Sequence, residues 1–269
     1  MGYPEKPSAI VATRARLPLL RPQRGTSLII SHVHRYVFVE LPRTGSSAVR
    51  HELREMYDGV PILNKHSTYR EFLRRATPDE REYFVFSAVR NPLDDAVSRY
   101  FKLRTDHHGR FSGQEAVQRR KHLVNSVLDA QMFRYLERTD ADFSAFFLKF
   151  YRLPYDTWAS LSHTQFDYVM RFERLADDFA TALRRAGIEP IRPLPVINPT
   201  TSRRREFASY YTPAARRRAR RVMGPYMRRW GYEFPADWEI EPPSQVHQIE
   251  YSMFSALARA YWVHVRPRL

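Results

Sequence analysis

Short apolar runs along the chain alternate with longer stretches in which apolar residues recur every three or four positions. The short runs at 27–30, 36–40, 83–89 and 166–172 have the composition of buried strands. The longer stretches predict helices up to residue 56, from residue 91, and over 124–136, 143–150 and 173–186. Strands that alternate with helices form parallel sheets with right-handed crossovers. The sequence therefore predicts an α/β fold with a central parallel β-sheet flanked by helices.

Capping signals mark where several helices begin. Thr68 and Glu71 have the spacing of a capping box, and Asn91-Pro92 combines a capping side chain with a first-turn proline. Thr212-Pro213 has the same form and opens a strongly basic stretch, which predicts a helix ending near Trp230.

The two ends of the chain differ in composition from its middle. Residues 1–26 are rich in arginine and proline and offer little to bury, so they predict a poorly ordered basic arm. Residues 27–240 contain the alternating elements and predict one α/β domain. Residues 241–269 begin with a proline pair and continue in a helical pattern, which predicts a C-terminal helical extension packing on that domain.

The chain carries a strong excess of positive charge. Its 269 residues include 44 Lys and Arg against 29 Asp and Glu, giving a formal net charge of +15 and an isoelectric point near 10.2. A charge of this size implies an anionic partner. Nucleic acid, a membrane surface and a phosphorylated or sulfated ligand all remain open at this point.

Residue types that are absent narrow the chemistry further. Cysteine is absent, which excludes disulfides, a thiolate zinc site and a cysteine nucleophile. No His or carboxylate cluster has metal-ligand spacing, so we expect no metal. No apolar segment has the length that spans a bilayer, and the apolar stretch 17–20 is too short for a signal peptide. We therefore expect a cytoplasmic protein.

The loop after the strand at 36–40 has the form of an anion site. Residues 42–47 (PRTGSS) lie where backbone N–H groups and a helix N-terminus converge. The loop is not a Walker A motif, because it has a single glycine and no lysine after that glycine. The alternative is an ordinary strand-to-helix turn whose serine and threonine side chains cap the helix.

A second strand-to-helix junction follows the strand at 83–89. Arg90 at its corner and Ser98, two turns into the next helix, could both reach one phosphate beside the first loop. Two adjacent anion sites suit a bisphosphorylated nucleotide. The alternative is that Arg90 pairs with Asp94 or Asp95 and that Ser98 is merely exposed.

Both junctions resemble segments of one enzyme family. Residues 36–53 (YVFVELPRTGSSAVRHEL) resemble the 5′-phosphosulfate-binding segment of carbohydrate sulfotransferases, whose donor is 3′-phosphoadenosine 5′-phosphosulfate (PAPS). Residues 86–101 (FSAVRNPLDDAVSRYF) resemble their 3′-phosphate-binding segment. Weaker similarities at 64–69, 172–175 and 231–234 extend the resemblance over residues 27–234. The chain is most similar to the bacterial branch related to heparan sulfate 2-O-sulfotransferase.

This resemblance implies a P-loop NTPase-like sulfotransferase fold with a PAPS site at the two junctions. The residues implied for the 5′-phosphosulfate are Arg43, Thr44, Gly45, Ser46 and Ser47. Those implied for the 3′-phosphate are Arg90 and Ser98, and Arg203 in the run 201–205 would contact PAPS where the family closes over the nucleotide. For the other arginines after residue 203, the alternative interpretation is that they form a solvated helix face.

The resemblance also implies catalytic roles for His66 and Arg43. His66 stands at the position of the family's proposed base, which takes the proton of the attacking hydroxyl; the alternative is a histidine with no task. Arg43 stands where the family usually has lysine, so the charge is kept on a bulkier, planar group. Its competing role is to pair with an acid such as Glu40 and fix the loop.

The implied activity is that of a PAPS-dependent O-sulfotransferase that needs no metal and acts on a hydroxyl of a carbohydrate or glycoconjugate. One alternative is a kinase or NTPase on the same fold, which the missing Walker lysine disfavours. The other is a non-enzymatic binder of nucleic acid or membrane surfaces, which would explain the charge but not the paired phosphate motifs. Under the sulfotransferase interpretation we expect no nucleic-acid partner, and a peripheral membrane contact and the oligomeric state are left open.

Overall fold

A computed structural model describes residues 28–63, 68–109, 111–112, 124–157, 159–197 and 205–265. Its five strands are Leu28–Ser31 (β1), Tyr36–Val39 (β2), Val60–Ile62 (β3), Phe84–Val89 (β4) and Tyr168–Arg171 (β5). They form one sheet in the order β3-β1-β2-β4-β5. Strand β1 is antiparallel to both of its neighbours, whereas β2, β4 and β5 are parallel to one another.

The α/β class with a sheet flanked by helices is confirmed, but the prediction of a parallel sheet is wrong for β1. Only residues 32–35 connect β1 to β2, and so short a connection permits only antiparallel pairing, because a parallel crossover needs about a dozen residues or more. Strand β3 was not predicted. It contains Pro61, which cannot donate to the ladder and is tolerated here because β3 lies at the sheet edge.

The helices begin largely where the capping signals predict. The Thr68 side chain accepts from the Glu71 N–H in a complete capping box, the Asn91 side chain accepts from the Leu93 N–H, and the Thr212 side chain accepts from the Ala215 N–H. The α-helices of the described residues are Ser46–Met56 (α1), Tyr69–Leu73 (α2), Pro92–Arg104 (α3), Val124–Thr139 (α4), Phe143–Phe150 (α5), Ala159–Ser162 (α6), Leu175–Arg185 (α7), Pro213–Val222 (α8), Gly224–Arg229 (α9) and Gln245–Ala260 (α10).

The basic helix predicted from residue 213 to about Trp230 is two helices, α8 and α9. They are separated at Met223. Pro225 explains the break, because it has no N–H to donate to the carbonyl group of Arg221 and its ring crowds that carbonyl. Helix α10 then contacts α6, α8 and α9.

Alternate residues of the strands point to opposite faces of the sheet, and each face is covered by helices. On one face, Ile29 and Phe38 pack with Val49 and Leu53 of α1 and with Phe179 of α7. The opposite face includes Leu28, Val37 and Val85, which pack with Tyr69 and Phe72 of α2. A further apolar cluster joins α3, α4, α5, α8 and α9. The sheet is thus the central layer, and the helices packed on both faces hold its strands in position.

The chain leaves two adjacent parallel strands in opposite directions. After β2 the chain passes through α1 to β3, at one edge of the sheet. After β4 it passes through α3 and later helices to β5, at the opposite edge. The carboxyl ends of β2 and β4 therefore form a topological switch point. In open α/β sheets, ligands bind in the crevice outside such a point.

Among the described residues, no helix combines the length and the apolar character needed to cross a membrane.

Candidate functional site

The loop that follows β2 is held closed by two of its own hydroxyl groups. Thr44 Oγ1 and Ser46 Oγ donate to the carbonyl oxygen of Leu41, at 3.0 and 2.7 Å. The N-cap of α1 is Gly45, and no described side chain caps this end of the helix. The alternative of a turn capped by serine or threonine is therefore wrong for these residues. In the first turn of α1 the Ala48 N–H donates to the Gly45 carbonyl oxygen at 3.0 Å. The N–H groups of Ser46 and Ser47, nearer the start of the helix, are those that suit an anion.

Gly45 lies against Phe172 and Leu175, which follow β5. Its φ angle is 74°, which favours glycine. A Cβ atom on Gly45 would lie 2.3 Å from Leu175 Cδ2 and 3.2 Å from Phe172 Cδ2. The phosphate-type loop is therefore packed directly against the turn Phe172–Arg174 and the start of α7, and a larger residue at position 45 would force the Leu175 side chain to move.

Gly45→Ala is expected to lower the free energy of unfolding by roughly 2–4 kcal/mol, because left-handed backbone strain and overpacking each cost about 1–3 kcal/mol. Urea denaturation followed by circular dichroism measures this loss. Gly187→Ala is the matched control, since Gly187 also has a positive φ of 77° but a Cβ there would meet nothing within 4 Å. Equal losses in the two variants would show that the packing against Leu175 does not constrain the loop.

Arg90, at the end of β4, connects the two junctions. Its Nη1 donates to the carbonyl oxygen of Arg43 at 3.0 Å. Its Nε and Nη2 contact Asp94 Oδ2 at 2.7 and 2.5 Å, and its guanidinium carbon lies 4.0 Å from the centre of the Phe172 ring. The pairing of Arg90 with Asp94, considered above as an alternative, is thus present, and a phosphate that used Arg90 would compete with Asp94 for its N–H groups.

Ser98 lies on α3 and is 1% exposed. The alternative in which Ser98 is merely exposed is therefore wrong.

Arg43 pairs with Asp95, not with Glu40. Its Nε lies 2.8 Å from Asp95 Oδ1, and the Tyr155 hydroxyl donates to Asp95 Oδ2 at 3.0 Å. Glu40 instead accepts from Arg50 at 3.2 Å. About a third of the Arg43 side chain is exposed, against 8% for Arg90. Arg43 is thus the more accessible of the two guanidinium groups.

The charge states of this group follow from burial and pairing. Burial is the largest single influence and lowers the pKa of Arg43, but Asp95 together with Tyr155, Tyr151 and Asp129 more than offsets it and raises that pKa above its usual value. Burial first, and then Asp95, raises the pKa of Tyr155 well above its usual value. Arg43 therefore remains a cation and Tyr155 remains a hydrogen-bond donor throughout the neutral pH range.

A third junction, the turn that follows β5, is hydrogen-bonded to the start of α3. Glu173 accepts from the Asn91 N–H at 2.7 Å and from the Tyr232 hydroxyl at 3.0 Å. Arg171 donates to the carbonyl oxygens of Trp230 and Gly231. These contacts join the segments 172–175 and 231–234 to the start of α3. The role of Glu173 was not predicted, although its position after an apolar strand was visible in the sequence.

The nine residues implied for the site divide into three groups. Six of them lie at the carboxyl ends of β2 and β4 and are brought together there: Arg43, Thr44, Gly45, Ser46, Ser47 and Arg90. Ser98 lies further along α3. His66 and Arg203 lie outside the described residues, so their roles stay predictions.

A buried histidine, His163, lies near the same edge of the sheet. Its Nε2 is 3.4 Å from the carbonyl oxygen of Ala88 in β4, and its ring packs against Phe166 and Trp230. Burial lowers the pKa of His163 to about 3, although the Ala88 carbonyl opposes this shift. His163 is therefore neutral at physiological pH and too weak a base to act near neutrality.

His163 is expected to make the fold acid-sensitive. An unfolded histidine takes up a proton near pH 6.5, so the stabilisation is complete above about 6.5 and is lost progressively as the pH falls towards 3. At about 1.4 kcal/mol per pH unit, going from pH 7 to 5 costs roughly 2 kcal/mol of unfolding free energy. Urea denaturation at both pH values measures it. His163→Phe should remove that share of the pH dependence, and an unchanged dependence would assign it to other groups.

Comparison of the chain with protein-family models, with curated proteins and with solved structures finds no match. Within the described residues, no three His, Asp or Glu side chains are grouped so that they could hold a metal ion. The fold and the site define an α/β protein in which a helix N-terminus and two arginine side chains meet at a switch point of the sheet.

Proposed function

We propose that this protein is a PAPS-dependent O-sulfotransferase with the P-loop type of sulfotransferase fold. The observation that carries the proposal is the 3.0 Å hydrogen bond from Arg90 to the carbonyl oxygen of Arg43, which joins the two predicted phosphate segments at one edge of the sheet. Two anion sites side by side suit a nucleotide with phosphates on both its 3′ and 5′ positions. The acceptor we propose is a hydroxyl of a carbohydrate or glycoconjugate.

The donor site would be built from fixed parts. The N–H groups at the start of α1 and the positive end of that helix bind the 5′-phosphosulfate. Arg90 binds the 3′-phosphate through guanidinium N–H groups that Asp94 accepts from in the absence of the nucleotide. PAPS supplies the sulfuryl group and leaves as 3′-phosphoadenosine 5′-phosphate.

Transfer places different demands on Arg43 and His66. The acceptor oxygen forms a bond to sulfur as the bond from sulfur to the bridging phosphate oxygen breaks, so negative charge grows on that phosphate. Arg43, held by Asp95, stabilises this charge, and the two carboxylate contacts of Asp95 fix the direction of the guanidinium group. His66 takes the proton of the attacking hydroxyl.

The product nucleotide tests the donor site directly. At a hundred times its dissociation constant, 3′-phosphoadenosine 5′-phosphate should stabilise the fold by roughly 2.7 kcal/mol, measured as a thermal shift. Adenosine 5′-phosphate at the same concentration should give much less. Equal stabilisation by the two nucleotides would count against a 3′-phosphate site, and a larger effect of ATP with magnesium would favour the kinase or NTPase alternative.

Arg90 and Asp94 form a matched pair for this assay. Arg90→Gln should abolish the preference for the 3′-phosphorylated nucleotide. Asp94→Asn keeps Arg90 and the shape of its partner but removes the competing negative charge, so nucleotide affinity should be retained or increased. A similar loss of affinity in both variants would mean that the pair only supports the loop.

A further inference from the structure

A basic cavity of about 460 Å³ lies between α2, α9, α10 and the π-helical turn Tyr261–Val265. Three arginines and a histidine line it: Arg70, Arg229, Arg259 and His264. No acidic side chain lines it among the described residues. The cavity therefore favours a negatively charged ligand.

The floor of this cavity is fixed by hydrogen bonds. Ser255 Oγ donates to Asp156 Oδ2 at 2.7 Å, and the Tyr251 hydroxyl donates to Asp156 Oδ1 at 3.4 Å. Both hydroxyl groups thus use their protons on Asp156, and their oxygens face the cavity only as acceptors. The guanidinium groups of Arg70 and Arg229 carry the N–H donors that binding an anion requires.

A stripe of exposed apolar residues runs along the adjacent face of α10 and into the π-helical turn. It consists of Val246 (70% exposed), Ile249 (61%), Met253 (63%), Leu257 (69%) and Tyr261 (43%). Their spacing of three or four residues puts them on one side of the helix. A continuous apolar stripe in water marks a contact surface, whereas single exposed apolar residues do not.

We propose that α10 docks on an anionic membrane surface, with the apolar stripe in the acyl boundary and the basic cavity facing a lipid phosphate headgroup. A helix with an apolar stripe beside basic groups is the form that lies in a membrane interface. The net charge of +15 complements an anionic leaflet. If the proposed function also holds, the acceptor is a sugar hydroxyl of a membrane glycolipid; only this clause rests on the proposed function.

Vesicle flotation tests the stripe. The protein should bind vesicles of equimolar phosphatidylcholine and phosphatidylserine and leave pure phosphatidylcholine unbound. Met253→Gln and Leu257→Gln should each weaken binding about tenfold, since each removes an apolar side chain from the lipid without changing the charge. Leu153→Gln and Val196→Gln, at exposed apolar positions outside the stripe, should leave binding unchanged.

A second pair of variants separates the cavity from the overall charge. Arg70→Gln/Arg229→Gln should weaken vesicle binding by about thirtyfold, because each basic group near an anionic surface contributes about a factor of five. Arg54→Gln/Arg138→Gln removes the same charge from exposed helix positions that do not line the cavity, and should weaken it by less than about threefold. Equal losses would show non-specific attraction and overturn the role of the cavity.

Three other outcomes would assign the cavity or the apolar stripe to something other than a membrane. Glycerol 3-phosphate bound as tightly as the vesicles would make the cavity a site for a free soluble phosphate. Concentration-dependent dimers abolished by Leu257→Gln, without vesicle binding, would assign the stripe to a second copy of the chain. Lowered thermal stability of that variant without vesicle binding would assign it to the chain's own contacts. These assays use no nucleotide, so their failure is distinguishable from failure of the donor site.

Discussion

Arg43→Ala is expected to lower turnover by roughly 100- to 1,000-fold, or about 3 to 4 kcal/mol of transition-state stabilisation. The charge that Arg43 answers is largest on the departing phosphate in the transition state, so donor affinity should fall less than turnover. Arg43→Lys should keep substantial activity, because lysine supplies the same charge to the same oxygen. Turnover and donor affinity measured on both variants check this result.

The competing account, in which Arg43 only fixes the loop, predicts an effect of Arg43→Ala on stability. Arg43 forms an ion pair with Asp95, whose side chain is 3% exposed and also accepts a hydrogen bond from Tyr155. Arg43→Ala leaves the buried carboxylate of Asp95 without its cation, so it should lower stability as well. A stability loss alone therefore decides nothing, and turnover must be expressed per folded molecule.

Asp95→Asn is the control that separates the two accounts. It weakens the same ion pair but leaves the guanidinium group of Arg43 in place. If Arg43 acts on the leaving phosphate, Asp95→Asn should lose far less turnover than Arg43→Ala at a similar melting temperature. If both variants turned over at the wild-type rate per folded molecule, Arg43 would have no part in the mechanism.

The junctions could be predicted from the sequence because two signals coincide there. The apolar runs before residues 41 and 90 end abruptly, and each is followed by residues that start a helix, Gly45-Ser46 and Asn91-Pro92. Strand β3 gave no such signal, since it has three residues and contains Pro61. The direction of β1 followed from its short connection to β2, which general α/β patterning overlooks.

The pairing of charges could not be read from the sequence. Asp94 and Asp95 are adjacent, and both were candidates for Arg90. On a helix, however, neighbouring side chains point about 100° apart. Asp94 is therefore turned towards Arg90, four residues earlier, while Asp95 is turned towards Arg43 and Tyr155. Which acid meets which arginine depends on where the β2 loop lies relative to α3, and only the tertiary structure supplies this.

His66→Ala is expected to lower turnover by about 100- to 10,000-fold, the usual effect of losing a positioned base. The affinity for 3′-phosphoadenosine 5′-phosphate should be unchanged, because a base acts on the acceptor hydroxyl and not on the nucleotide. Arg90→Gln should show the opposite pattern, with weakened nucleotide binding. Nucleotide titration and turnover at saturating acceptor, measured on both variants, give the comparison.

The pH dependence of turnover distinguishes a lost base from a disturbed fold. A base must be unprotonated to act, so wild-type turnover should rise with pH until the imidazole is neutral, and this limb should vanish in His66→Ala. The limb cannot come from His163, whose pKa burial lowers to about 3. His51→Ala, at an exposed position on α1, is the matched control and should keep both the rate and the limb. A His66→Ala variant with near-normal turnover and the same pH profile would require another base, because the ionising group would then lie elsewhere.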